Sequence, residues 1–135
     1  MTTILEILRL AAPLKPGFHL RIENSCWMAL VIEDIQQPGP NGLQSVSVAH
    51  YFEQNGDLMR DPEMIFELSK NTDETILSPY YWRSDVAGKE QYSTWTEEGC
   101  VLVDARLKHD HIDFARLWDR NLRAQGFIEA FRRMQ

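Results

Sequence analysis

Cysteine is scarce in this chain of 135 residues: there are two, Cys26 and Cys100, far apart in sequence. Zinc fingers and dithiol redox motifs need thiols paired a few residues apart, so this spacing excludes them. Cys26 adjoins an apolar strand and Cys100 an apolar run, and neither lies in a nucleophile motif. Both read as small core residues, reduced in the cytoplasm. Long apolar runs are missing too. None approaches the ~20 residues needed to cross a bilayer, and no basic-then-apolar segment opens the chain. The expectation is a cytoplasmic protein with no membrane partner. Excess positive charge is also lacking: the net charge is -6 and the isoelectric point about 5.1. Direct nucleic-acid binding, which needs a basic footprint to displace counterions, is therefore not expected. No serine sits in a Gly-x-Ser-x-Gly elbow, and no acidic run has calcium-loop spacing.

What remains is an ordinary globular composition, with 44% apolar and 25% charged residues. At this length about two-thirds of the unfolded surface can be buried, enough for a core without staples. We expect a single α+β domain over residues 1–135. Thr3 with Glu6 has the spacing of a capping box, and Ile4, Ile7, Leu8 and Ala11 follow on one helical face. Pro13 ends that helix, and Pro16-Gly17 turns the chain. Phe18, Leu20 and Ile22 then alternate with polar residues, as in a half-buried strand. Trp27 to Ile32 is apolar on both faces, which predicts a strand covered on both sides. Val46, Val48, His50 and Phe52 share one face of the next strand.

Asn55-Gly56 is the preferred pair for a two-residue hairpin, because both positions need positive φ. Asp61-Pro62 interrupts the return strand. Proline lacks the ladder donor, so an edge or a bulge is expected there. Met64, Phe66 and Leu68 resume the alternation. Further strands are expected at Ile76–Trp82, at Gln91–Trp95 and, as a short run, at Cys100–Val103. Asp110 and Asp113 read as the start of the last long helix, with Phe114, Ala115, Trp118 and Leu122 on its apolar face. Gly126 reads as a left-handed cap, and Phe127 to Met134 as a short helix. Tight turns between successive strands imply antiparallel pairing. The fold class is α+β: a meander of five to six strands flanked by an N-terminal and a C-terminal helix.

Three stretches carry a resemblance: HYFEQNGDLMRDPEM (His50–Met64), PYYWRSDVAGKEQ (Pro79–Gln91) and RAQGF (Arg123–Phe127). With them, Phe18 to Ala130 resembles an uncharacterised domain-of-unknown-function family of conjugative elements, plasmids and phages. Tyr92-Ser93-Thr94 departs from that family's pattern. The resemblance implies a mobile-element setting, in which small acidic proteins block host defences or serve as accessory factors. It implies no activity.

Charge is uneven along the chain. From Glu53 to Glu74 there are seven acidic residues against two basic ones, a balance of -5, whereas Arg106 to Gln135 has a balance of +3. Glu53, Asp57, Asp61 and Glu63 around the hairpin are candidate contacts for a basic partner. Tyr81 and Trp82, in an aromatic-rich region with Tyr80, Tyr92 and Trp95, are candidate interface anchors. Arg116, Arg120 and Arg123 form a candidate basic stripe on the last helix, or simply its solvated face. His50, Glu53, Asp57, Asp61 and Glu63 have the ligand types of a hard-metal site, with His50, Asp57 and Asp61 its nearest candidates, but the plain reading is hairpin chemistry and no metal is expected. His109 and His111, flanking Asp110, read as a surface junction before a helix. These features point to a non-enzymatic protein-binding module without cofactor; the resemblance to a mobile-element family implies, as one form such a module takes, an inhibitor of a host defence complex of the anti-CRISPR or antirestriction type. The alternative is a metal-dependent enzyme built on His50, Asp57 and Asp61.

Overall fold

The computed structural model describes residues 1–135. In chain order the elements are α1 (Thr2–Ala11), β1 (His19–Ile22), β2 (Leu30–Pro38), β3 (Gln44–Gln54), β4 (Asp57–Lys70), β5 (Thr75–Ser84), β6 (Lys89–Tyr92), β7 (Thr94–Glu97), β8 (Cys100–Val103), α2 (Ala105–Ala124) and α3 (Phe127–Met134). Strands β1 to β6 form one antiparallel sheet in sequence order, while β7 and β8 form a separate two-stranded sheet. The α+β meander read from the period-two alternation is therefore what the chain adopts.

Alternation decides which face the helices cover. Leu30 and Ile32 stand opposite His50 and Val48 in register, and Val48 and Val46 stand opposite Met64 and Phe66. These side chains share one face and meet Ile4, Ile7 and Leu8 of α1, Trp118 and Leu122 of α2, and Phe127 and Phe131 of α3 in one buried cluster. Burying so many branched and aromatic side chains, at about 1.5–3 kcal/mol each, is the main force holding the three helices to that face. The opposite face carries Ser45, Ser47, Ala49 and Tyr51 of β3 beside Glu63, Ile65 and Glu67 of β4.

Asn55 and Gly56 have φ of 52° and 83°, the two positive values that a two-residue hairpin requires. Asp61-Pro62 is a bulge inside a long central strand, not an edge. Ala49 pairs with Glu63 and Tyr51 with Arg60, which leaves Asp61 and Pro62 opposite His50 alone. A bulge withdraws one residue from the ladder, so the missing proline donor costs nothing there.

Several expectations need correction. The capping box does not form: Thr3 lies inside α1, whose N-cap is Met1, and Glu6 pairs instead with Arg123 and Arg132. A carboxylate from another helix serves the N-terminus: Asp119 Oδ1 accepts the Thr3 N–H at 2.9 Å. The doubly covered strand begins at Leu30, and Trp27 is half exposed in the preceding turn. Gln91–Trp95 is two strands. Ser93, between them, donates its N–H to Tyr80 O and accepts from Asp104 N, which turns the chain out of the large sheet. The long helix starts at an Asp104 N-cap, whose side chain accepts the Leu107 N–H, six residues before Asp110. Asp104 escaped notice because the preceding Cys100–Val103 run masks the start of the helical period.

Candidate functional site

The hairpin of β3 and β4 carries most of the singled-out residues. At its tip Glu53 and Gln54 stand opposite Leu58 and Asp57. Glu53 and Asp57 are exposed and make no ion pair, and Leu58 is 62% exposed. Period-two geometry puts Glu53 and Leu58 on the same face as Tyr51 and Arg60. The tip therefore presents Leu58 beside the free carboxylate of Glu53 on one face, and the free carboxylate of Asp57, opposite Gln54, on the other.

Toward the base of the hairpin the polar groups bond to one another. Ser47 Oγ donates to Glu63 Oε2 at 2.7 Å, and Arg60 Nε lies 3.6 Å from Glu63 Oε1. The Arg60 guanidinium also stands over the Tyr51 ring, 5.8 Å from its centroid, within cation–π range. The bulge is tied to the end of β5. Ser84 Oγ donates to Asp61 Oδ1 at 2.8 Å, Arg60 N–H donates to Asp85 Oδ2 at 2.7 Å, and Asp85 N–H donates back to Arg60 O. Arg83 Nε donates to Asp85 Oδ1 at 2.7 Å. Burial pushes the Asp85 carboxyl up, but the Arg60 N–H and the Arg83 guanidinium outweigh it and hold the pKa below its usual value. Asp61 and Glu63 thus position the hairpin from within, and only Glu53 and Asp57 face outward unpaired.

The metal candidates do not converge. His50 is buried on the helix-covered face, with Nδ1 3.2 Å from Ala29 O and its ring edge-on to Trp118 at 5.6 Å. Burial lowers its pKa, so the imidazole is a neutral core group whose Nδ1–H donates to that carbonyl. Asp57 lies at the exposed tip, and no three His, Cys, Asp or Glu side chains group as a metal site. Ser47 beside Glu63 has the composition of a nucleophile–base pair, yet Ser47 is 1% exposed and no substrate can reach it.

The remaining candidates separate. Tyr81 is buried; its hydroxyl donates to Glu90 Oε2 at 2.6 Å, and its ring meets exposed Tyr92 edge-on at 4.9 Å. Burial, then the Glu90 bond, pushes its pKa well above the phenol range. Trp82 is half-buried on the other face against Phe114. Arg123 is tied to Glu6 at 3.2 Å and Arg116 lies 4.0 Å from Asp113, so of the basic stripe Arg120 alone is unpaired. His109 and His111 lie within α2: His109 is exposed, 3.4 Å from Asp113, while His111 is buried and bonded to Gln91. Cys26 and Cys100 are both exposed, which corrects their reading as core residues. Cys26 has φ of 75° in the turn before β2, and the β7–β8 hairpin that holds Cys100 packs none of β8 into the core. Sequence reasoning missed Ser47, Tyr51, Arg83, Asp85 and Glu90. The small and polar alternation Ser45, Ser47, Ala49 was the available signal for a second polar face.

Fold and site together define an α+β protein with helices layered on one face of a six-stranded meander and a projecting hairpin braced by a polar network on the other. By sequence the chain belongs to the family described as Domain of unknown function (DUF6908), which matches residues 2–128. The match takes in α1, which lies outside the Phe18–Ala130 resemblance. No curated protein and no solved structure matches the chain. No helix is long and apolar enough to cross a membrane.

Proposed function

We propose that the chain is a non-enzymatic protein-binding module that engages its partner through the tip of the β3–β4 hairpin. The observation that carries this reading is the exposed Leu58 beside the unpaired carboxylate of Glu53, with the unpaired carboxylate of Asp57 on the other face of the same tip. An apolar anchor on an acidic tip suits a partner with a basic surface and a small apolar recess. The brace behind it, from Ser47 and Glu63 to Ser84 and Asp85, holds the tip in one orientation before binding and so lowers the entropy lost on association. The resemblance to proteins of conjugative elements, plasmids and phages supports a mobile-element setting, with a component of a host defence complex as the partner.

The test is charge reversal confined to the tip. Glu53→Lys with Asp57→Lys, and separately Leu58→Ala, leave the core untouched. Each should abolish capture of the partner from bacterial host lysate, and any protection of an incoming phage or plasmid, at unchanged thermal stability. Reversal at Asp61 or Glu63 is uninformative, because both act inside the fold. Wild-type capture or protection by both tip variants would sink the reading.

A further inference from the structure

A cavity of about 960 Å³ lies beside α1, bounded by the Ala12–Phe18 segment that follows it and by the ends of β3, β4 and β5. Leu5, Leu14, Phe18 and Leu68 contribute apolar walls. Four cations line it, Arg9, Lys15, Lys70 and Arg123, against two carboxylates, Glu6 and Asp34. Both carboxylates are already engaged. Glu6 holds Arg123 and Arg132 at 3.2 and 3.5 Å, and Asp34 accepts the N–H groups of Gly17 and Gln36 at 2.9 and 3.0 Å. Arg9, Lys15 and Lys70 are exposed and have no carboxylate within 4.0 Å.

Free cations around one apolar concavity are out of keeping with a chain of net charge -6. Arg9 in the last turn of α1 complements the helix dipole, but that does not place Lys15 and Lys70 on the same rim. We propose that the cavity binds a small organic anion with an apolar body. An aryl or acyl portion would lie against Leu14, Phe18 and Leu68, with an acidic head group held by Arg9, Lys15 and Lys70. The volume is within the roughly 300–1,000 Å³ of small-molecule sites. No residue of the edge strands β1 or β6 lines the cavity, so it offers no strand edge to a peptide backbone. The proposal is independent of the hairpin reading.

Anilinonaphthalene sulfonate is a suitable probe, with the uncharged N-phenyl-1-naphthylamine as its control. Titration of isotope-labelled protein should show one saturable sulfonate site, with amide shifts confined to Leu5–Phe18 and Lys70–Thr75. The uncharged analogue should bind about tenfold more weakly or worse, since charge-assisted contacts to the head group are lost. Lys15→Glu with Lys70→Glu should weaken sulfonate binding by about tenfold or more, at unchanged Tm, because both side chains are exposed and unpaired. Arg9→Glu should act in the same direction. Absence of saturable binding, shifts centred elsewhere, or equal binding by the charge variants would overturn the proposal.

Discussion

Replacing Asp119 by alanine should destabilise the protein more than Glu6→Gln, which removes the carboxylate of the Thr3–Glu6 pair that resembles a capping box. Asp119 is 8% exposed and Thr3 fully buried. Its Oδ1 accepts the Thr3 N–H at 2.9 Å, its Oδ2 accepts from Thr2 Oγ1 at 3.1 Å, and its backbone O accepts from Thr3 Oγ1 at 3.3 Å. A local N-cap contributes about 1 kcal/mol, and a buried N–H left without an acceptor costs about 1–3 kcal/mol. Since α1 and α2 are joined only through tertiary structure, the two effects fall on the same interface, and we expect a loss of about 2–3 kcal/mol. With an unfolding entropy of about 2.1 cal/mol/K per residue, that lowers Tm by about 9 °C. Glu6→Gln, by contrast, removes half-exposed ion pairs and should cost less than about 1 kcal/mol. Urea unfolding followed by far-UV circular dichroism measures both, and an unchanged m-value would confirm that the native and unfolded states keep their compactness. Asp119→Asn retains an acceptor and should fall between alanine and wild type. A cost below about 0.5 kcal/mol for Asp119→Ala, or a larger cost for Glu6→Gln, would refute the reasoning.

Three other outcomes are expected. Gly39→Ala should destabilise by about 1–3 kcal/mol, because the new Cβ would stand 2.3 Å from Glu67 Cγ and Glu67 cannot move without releasing Asn41 and Leu43; denaturant titration is the check. Burial lowers the pKa values of His50 and His111, so the unfolded state binds more protons than the native one just below the unperturbed histidine pKa. The histidine contribution should be full above about pH 6.5 and decline as pH falls below it through the lowered native values. His50→Gln should flatten that slope, and an unchanged slope in the double variant His50→Gln/His111→Gln would contradict it. Cys26 and Cys100, both exposed, should react fully with a thiol reagent in the native protein; protection of either would place it back in the core.

The fold was legible where one period ruled a long segment. Val46, Val48 and His50, and then Met64 and Phe66, alternate cleanly, and they are the residues that meet the helices. Asn55-Gly56 needed no tertiary information because its turn is local. Boundaries failed where tertiary contacts decide. Thr3 and Glu6 have the right spacing for mutual capping, but the buried carboxylate of Asp119 competes for the same N–H from across the helix layer. Ser93 ends one sheet and begins another through bonds to Tyr80 and Asp104, residues whose proximity no local pattern announces. Cys100–Val103 is apolar and extended, as read, yet it lies outside the main sheet and stays exposed.

The candidate site was legible in composition and not in arrangement. Between Glu53 and Glu74 the chain counts seven acids, but count is not surface charge. Asp61 is bonded to Ser84, Glu63 is bonded to Ser47 and ion-paired with Arg60, and Glu67 is bonded to Asn41 and Leu43. These three carboxylates are structural because β4 is a central strand, and polar groups buried on it find partners within the fold. At the tip the strands have run past that brace, and Glu53 and Asp57 are left to solvent. The cationic rim inverts the lesson. Arg9, Lys15 and Lys70 are separated in sequence and raised no signal there, and the packing of α1 against the strand ends puts them around one cavity. A chain of net negative charge can therefore gather unpaired cations in one place, so its net charge says nothing of the charge around a given cavity.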